Sequence, residues 1–185
     1  MKPGILEPGD TRYPAVLRER LGADTPASLS PLGNLALLAP PKTALFCSAR
    51  CPGSAILAAY DQAARWRDTA RCVISGFHSP IEKECLRILL RGRQPIIICP
   101  ARSLENMRLP SDWKAPFAAG RLLILSRFNS THRRATTELA ARRNELVAAL
   151  ADEVWFAHIT PGGQSQRLTH RLIAWRVPFS TLEKP

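Results

Sequence analysis

Four stretches of small residues in this chain carry serine, threonine or arginine, and their chemistry is that of holding an anion. They are Cys47-Ser48-Ala49-Arg50-Cys51-Pro52-Gly53-Ser54, Ser75-Gly76-Phe77-His78-Ser79-Pro80, Ser126-Arg127-Phe128-Asn129-Ser130-Thr131-His132-Arg133-Arg134 and Thr160-Pro161-Gly162-Gly163-Gln164-Ser165. Turns of this kind direct backbone N–H groups outward, and at a helix start those groups and the helix dipole favour a phosphate. Arg50 adds a planar fork of donors and a permanent charge. The same residues are poorly equipped to break bonds. His78 lies three positions after Ser75, but no Gly-x-Ser-x-Gly elbow surrounds any serine. The four histidines show no His-x-x-x-His spacing. The five cysteines, at 47, 51, 72, 85 and 99, contain no Cys-x-x-Cys, and no second ligand pair follows Cys47 and Cys51. They read as small hydrophobes in a reducing compartment, with no disulfide and no structural metal. No catalytic residue and no cofactor is predicted.

These turns need a scaffold to bring them to one place. Short apolar runs lie at 43–48, 72–76, 95–100, 122–126, 153–158 and 177–180. Each is apolar on both parities, as a strand buried on two faces must be. Helical periodicity fills the gaps, at 53–68, 80–90, 131–152 and 163–175. The alternation predicts a Rossmann-like, doubly wound α/β fold, mainly parallel, with helices on both faces. In such a sheet ligands sit outside the carboxyl ends of the strands, which is where the four turns fall. Residues 1–42 hold seven of the 16 prolines and read as an N-terminal arm, with a short helix near 14–21 and a second apolar patch at 32–38. Pro40-Pro41 ends the arm, and residues 43–185 form the Rossmann-like domain.

Length and charge narrow the partner. The 185 residues predict one domain with a real core. A content of 45% hydrophobic and 22% charged residues excludes a disordered chain. No apolar run reaches the ~18 residues of a bilayer span, and the first residues lack a secretory h-region, so a cytoplasmic location with no membrane is expected. Lys and Arg number 26 against 15 Asp and Glu, a net charge of +11. That excess points to a polyanion. Phe77 and Phe128, beside basic residues in these loops, either stack on a base or anchor the loop on the core, with the anchor favoured for a lone Phe; Trp66, Trp113, Trp155 and Trp175 read as packing residues.

The order of these motifs resembles the core of the DNA-processing protein A (DprA/Smf) family, mediators that bind single-stranded DNA and help load recombinase. Ser48-Ala49-Arg50 stands where the family has Gly-Ser-Arg. Ser75-Gly76-Phe77-His78-Ser79-Pro80-Ile81-Glu82 is similar to its Ser-Gly-Leu-Ala-x-Gly-Ile-Asp, and Arg143-Asn144-Glu145-Leu146-Val147-Ala148-Ala149-Leu150-Ala151 to its Arg-Asn-Arg-Ile-Ile-Ala-Gly-Leu-Ser. Tyr13-Pro14-Ala15-Val16-Leu17 is like the Tyr-Pro-x-x-Leu that precedes the core. The chain departs from the family in the partly lost glycines of the first two loops. The acid after the fifth strand is replaced by His158 or Ile159, and the accessory helical and winged-helix domains have no counterpart in the chain. The resemblance implies that Arg143 and Asn144 contact the ligand. The family pair sits near a helix start, so either the helix breaks near Arg142 or the match is shifted. It also implies a homodimer and a recombinase partner.

Pro161-Gly162-Gly163 is similar to the Pro-Gly-Gly loop of lysine-decarboxylase-like (LOG) nucleotide phosphoribohydrolases, but Thr169 stands where that family places its glutamate. A hydroxyl of ordinary pKa cannot act as a general base near neutral pH. Two functions therefore stand. In the first, Arg50, Lys83, Arg127, Arg133, Arg134 and Arg143 grip the backbone of single-stranded DNA, and about five neutralised phosphates give a salt slope of roughly −3.5. In the second, Ser48, Gly53, Ser54, Ser75, Gly76, Gly162 and Gly163 surround a single nucleotide, in a sensor or nucleotide-processing enzyme.

Overall fold

Apolar side chains on both parities of every short strand demand a sheet with two covered faces. The computed structural model, which describes residues 2–48 and 51–182, has that architecture. In chain order the elements are α1 (Val16–Leu21), β1 (Ser30–Gly33), β2 (Lys42–Phe46), α2 (Gly53–Asp68), β3 (Cys72–Ser75), α3 (Pro80–Leu90), β4 (Ile96–Ile98), α4 (Ser111–Ala118), β5 (Leu122–Ser126), α5 (Thr137–Leu150), β6 (Glu153–Phe156), α6 (Gln164–Ala174) and β7 (Phe179–Thr181). Among the described residues one seven-stranded sheet forms in the order β1-β5-β4-β3-β2-β6-β7. All neighbours are parallel except β1, which runs antiparallel along β5. From β2 the chain winds outward through β3, β4 and β5, then returns to the other side of β2 as β6. The winding reverses between β2 and β6, and a crevice opens there at the carboxyl ends.

Alternation along the strands divides the core in two. Ala44, Phe46, Ile74, Ile97, Leu123, Leu125, Val154 and Phe156 face α1, α5 and α6. Leu45, Val73, Ile96, Ile98, Leu122 and Ile124 face α2 and α3. Ile97 is fully buried, and truncating such a residue to alanine costs about 2–5 kcal/mol. Phe77 and Phe128 are buried anchors, and Trp66 packs edge-on against Trp155 at 5.6 Å between centroids.

Residues before β2, expected as an arm, fold onto the same sheet. Leu6 forms an antiparallel bridge with Leu29, and Pro31 and Leu32 of β1 lie opposite Leu125 and Ile124. Leu17 and Leu21 of α1 join the core beside Leu146 and Leu150 of α5. α4 falls where the periodicity predicts no helix. Pro110 precedes it and Pro116 lies inside it, and in eight residues a proline removes few bonds. α5 is shorter than the 131–152 stretch, because Thr136 caps it by accepting from the Leu139 N–H at 3.2 Å. It runs unbroken through Arg143, so the Arg143-Asn144 pair lies inside the helix and not at its start.

Candidate nucleic-acid interface

At the β2–β6 crevice the loops hold each other through Ser48. Its hydroxyl donates to the His158 carbonyl at 3.0 Å, lies 3.0 Å from the Ser165 hydroxyl and accepts from the Thr160 N–H at 3.3 Å. α2 and α6 both start here. Their N-caps are Pro52 and Gly163, and among the described residues no side chain caps either. Gly53 and Ser54 are exposed on the first turn of α2. Gly162 adopts φ +70°, a conformation that disfavours larger residues, and its N–H donates to Gln166 Oε1 at 2.6 Å. That amide is therefore already engaged. Arg50, expected beside Ser48, lies outside the described residues. Thr169 is buried in α6 and donates to the Gln166 carbonyl at 2.7 Å.

The turn from β3 into α3 is closed from within. Glu82 is buried, and its carboxylate accepts the N–H groups of Cys47 at 3.1 Å, His78 at 2.9 Å and Ser79 at 3.3 Å. It completes a capping box with Ser79 and occupies the place where this helix would receive an anion. Ser75 is also turned inward. Its hydroxyl donates to the Leu45 carbonyl at 2.8 Å and accepts from the Phe77 N–H, so it ties β3 to β2 and has no proton left for a ligand. In this turn the positive φ, 45°, belongs to Phe77 and not to Gly76. Gly76 is needed for space. A Cβ there would stand 1.5 Å from Arg143 Nη1 and 2.0 Å from its Cζ.

Arg143, expected to meet a phosphate, is 5% exposed beneath Gly76. Its Nη1 donates to the Cys99 carbonyl at 3.2 Å and its Nε to Asn144 Oδ1 at 2.7 Å. Burial pushes its pKa down, against the opposing charge of Glu82. Ser75, Gly76, Arg143 and Asn144 do come together, with Ser75 and Arg143 buried in a brace that joins α5 to the β3 and β4 ends; Gly76 and Asn144 are half-buried, and Asn144 also lines the cleft that holds Arg167 and Arg171. The expected direct phosphate contact through Arg143 is not what the structure presents: the side chain is buried, with Nη1 and Nε bonded to Cys99 and Asn144. Lys83 is exposed on α3, apart from the arginines of α5 and α6.

The open cationic surface lies between α5, α6 and the loop after β5. Three adjoining clefts form one path. Arg133, Arg134 and Arg142 line the first, Arg142, Arg127 and Arg171 the second, and Arg171 with Arg167 the third. Arg127 helps shape the path more than it faces it. It donates to the Arg142 carbonyl at 3.2 Å and the Asp24 carbonyl at 2.8 Å, and burial lowers its pKa. Arg142 leans on the Phe128 ring, 6.0 Å from its centroid. Arg171 is held by Glu145 at 3.2 Å and Asp24 at 3.5 Å. Arg133, Arg134, Arg142 and Arg167 are exposed. Arg167 and Arg171 were absent from the expected set, although their i, i+4 spacing on one helix places them on one face.

The sequence pattern of the DNA recombination-mediator protein A family matches residues 4–160. The chain belongs to that family. The match runs from the first residues of the arm to the β2–β6 crevice and takes in the brace and the loop after β5. Two solved structures of DNA processing protein A share the fold. DNA processing protein A from Streptococcus pneumoniae superimposes with a TM-score of 0.80 at 20% identity, covering 100% of this chain and 64% of that one. The protein of the same name from Helicobacter pylori, described for its single-stranded DNA binding mode, gives a TM-score of 0.75 at 20% identity, covering 100% and 84%. The chain thus spans 64% of the length of the pneumococcal protein. No curated protein matches the chain. Among the described residues no helix is long and apolar enough to cross a membrane.

Proposed function

We propose that this family member binds single-stranded DNA along the arginine path between α5 and α6, holding phosphates and cleaving nothing, as a mediator of recombination in the cytoplasm. The observation that carries this reading is the run of linked clefts from Arg133 and Arg134 through Arg142 to Arg167. Guanidinium forks in an open groove suit phosphate oxygens, which fix the strand without reading its sequence. Arg50, by its place in the family motif, is assigned to the same DNA strand. Five cations, Arg50, Arg133, Arg134, Arg142 and Arg167, give a log K against log salt slope of about −3.5 on single strands. A homodimer and a recombinase contact belong to the same proposal, through the family's mediator role.

The test is a salt-titrated anisotropy assay with oligo(dT). Arg50→Ala, Arg142→Ala and Arg167→Ala each lower affinity and flatten the slope by about 0.7. Affinity that ignores salt, or no affinity for any oligonucleotide, defeats the proposal. A second reading rests on the two uncapped helix starts at the β2–β6 crevice. There a mononucleotide at about 100 times its Kd stabilises the fold by ~2.7 kcal/mol. A thermal shift with mononucleotides and none with oligonucleotides would favour it.

A further inference from the structure

Two thiols, four positions apart in sequence, lie between β2 and α2. Cys47 is buried at the end of β2, and Cys51 is half-buried just before α2. Their sulfur atoms are 3.7 Å apart, and the Cys47 S–H is within reach of both Cys51 Sγ and the Ser48 carbonyl at 3.5 Å. Cys72, Cys85 and Cys99 are buried elsewhere, on β3, on α3 and after β4. We propose that Cys47 and Cys51 are a reversible dithiol site that closes to a disulfide by exchange with a small-molecule disulfide, and that closure weakens the grip on DNA. The second half rests on the single-stranded DNA reading above.

The geometry requires little movement. A disulfide has its sulfurs about 2.05 Å apart, so the pair closes by about 1.6 Å. Cys51 reaches solvent and acts first. Its thiolate attacks one sulfur of the small disulfide RSSR, forming a mixed disulfide and releasing RS⁻. Cys47 then gives its proton to water and attacks Cys51 Sγ, displacing the second RS⁻. Two protein thiols are oxidised to one disulfide and RSSR is reduced to two thiols. Burial and the adjacent Cys51 push the Cys47 thiol up, so it stays protonated while Cys51 acts first. In the second step the two sulfurs are already in contact, and proximity offsets a small thiolate fraction.

Closure acts on the crevice through Ser48, which lies inside the ring. That side chain joins the β2 loop to the carbonyl of His158 and to Ser165 at the start of α6. Drawing Cys51 toward Cys47 also displaces Pro52 and the first turn of α2. The Ser48 anchor and the start of α2 therefore shift together.

The full-length chain is incubated with glutathione disulfide, alkylated and digested with trypsin. Cleavage after Arg50 separates residues 43–50 from residues 51–65, so a linked pair of these peptides, released by dithiothreitol, identifies the bond. Intact mass falls by about 2 Da for the two hydrogens lost. Cys51→Ser abolishes the link, and Cys47→Ser leaves only a mixed disulfide at Cys51. Recovery of the two peptides unlinked from oxidised wild-type protein overturns the site. Binding to oligo(dT) is then measured on reduced and oxidised protein. The oxidised form binds on the order of tenfold more weakly, the worth of one displaced charge-assisted contact. Dithiothreitol restores binding, and Cys51→Ser is indifferent to the oxidant. Equal affinity of the two forms overturns the regulatory half. Reduced protein that binds no oligonucleotide overturns the reading of the groove and leaves the peptide result standing.

Discussion

Replacing Gly76 with alanine tests the buried brace directly. The added methyl carbon would sit 1.5 Å from Arg143 Nη1 and 2.0 Å from Cζ, far inside contact distance. The guanidinium must leave, because Gly76 is fixed by β3 on one side and the buried Phe77 on the other. Its bond to the Cys99 carbonyl breaks, and the Glu82 carboxylate loses its nearby positive charge. Overpacking of this kind costs about 1–3 kcal/mol. A lost hydrogen bond to a charged group adds about 1.5–3 kcal/mol. The expected total is on the order of 4 kcal/mol, or roughly 8–16 °C in Tm for a chain of this size. Urea denaturation should show a lower midpoint with an unchanged m-value. The decisive comparison is a double-mutant cycle with Arg143→Ala. Removing the guanidinium opens the space that the methyl needs, so the double variant should cost less than the sum by about 1–3 kcal/mol. A Gly76→Ala variant within about 0.5 kcal/mol of the parent, or strictly additive effects, would refute the brace.

Other consequences follow from the same contacts. Glu145→Gln releases Arg171 from its nearer carboxylate partner, so oligo(dT) affinity should rise by on the order of threefold; a fall in the anisotropy assay would place Glu145 in a supporting role. Glu82→Gln keeps the shape but weakens acceptance of three backbone N–H groups, and should cost about 1–3 kcal/mol by chemical denaturation. Burial raises the thiols of Cys72 to about 11 and of Cys85 and Cys99 to about 12, from an ordinary 9.0. A raised folded-state pKa gives stability that is complete below pH 9 and lost as pH climbs toward the folded value, each thiol contributing a slope of about 1.4 kcal/mol per pH unit. Denaturation midpoints between pH 9 and 11 should therefore fall, and less steeply in Cys99→Ala. Asp10, held to about 2 by its bonds to Arg12, should lose its contribution only as pH drops below 4 toward 2, which a proton titration of that turn would register.

Much of the fold could be read before any coordinates. β5 and the helices α2 and α3 fall where their periodicity places them, because each is long enough or apolar enough for local pattern to decide. The small-residue turns at the strand ends were equally visible. β1 was not, since Pro31 and Gly33 argue against a strand until an edge position on β5 makes both tolerable. α4 was hidden by Pro116. At the site, the family motif located Arg143 but gave it the wrong partner. Nothing local distinguishes an arginine that faces solvent from one that passes under a glycine 67 positions earlier in the chain.

The residue types and their order thus determined a mainly parallel sheet, small-residue turns at its strand ends and an excess of positive charge. Hydrophobic parity, turn residues and net charge are all local properties, and they need no neighbour to be legible. The tertiary structure alone decided which cations remain available. Arg143 and Arg127 are spent on carbonyls brought to them by folding, Arg171 is held by Asp24 and Glu145, and Arg142 and Arg167 stand open because α5 and α6 meet along one side of the sheet. A guanidinium's role depends on whether desolvation and a facing acceptor have already claimed its donors, and those partners lie far away in the chain.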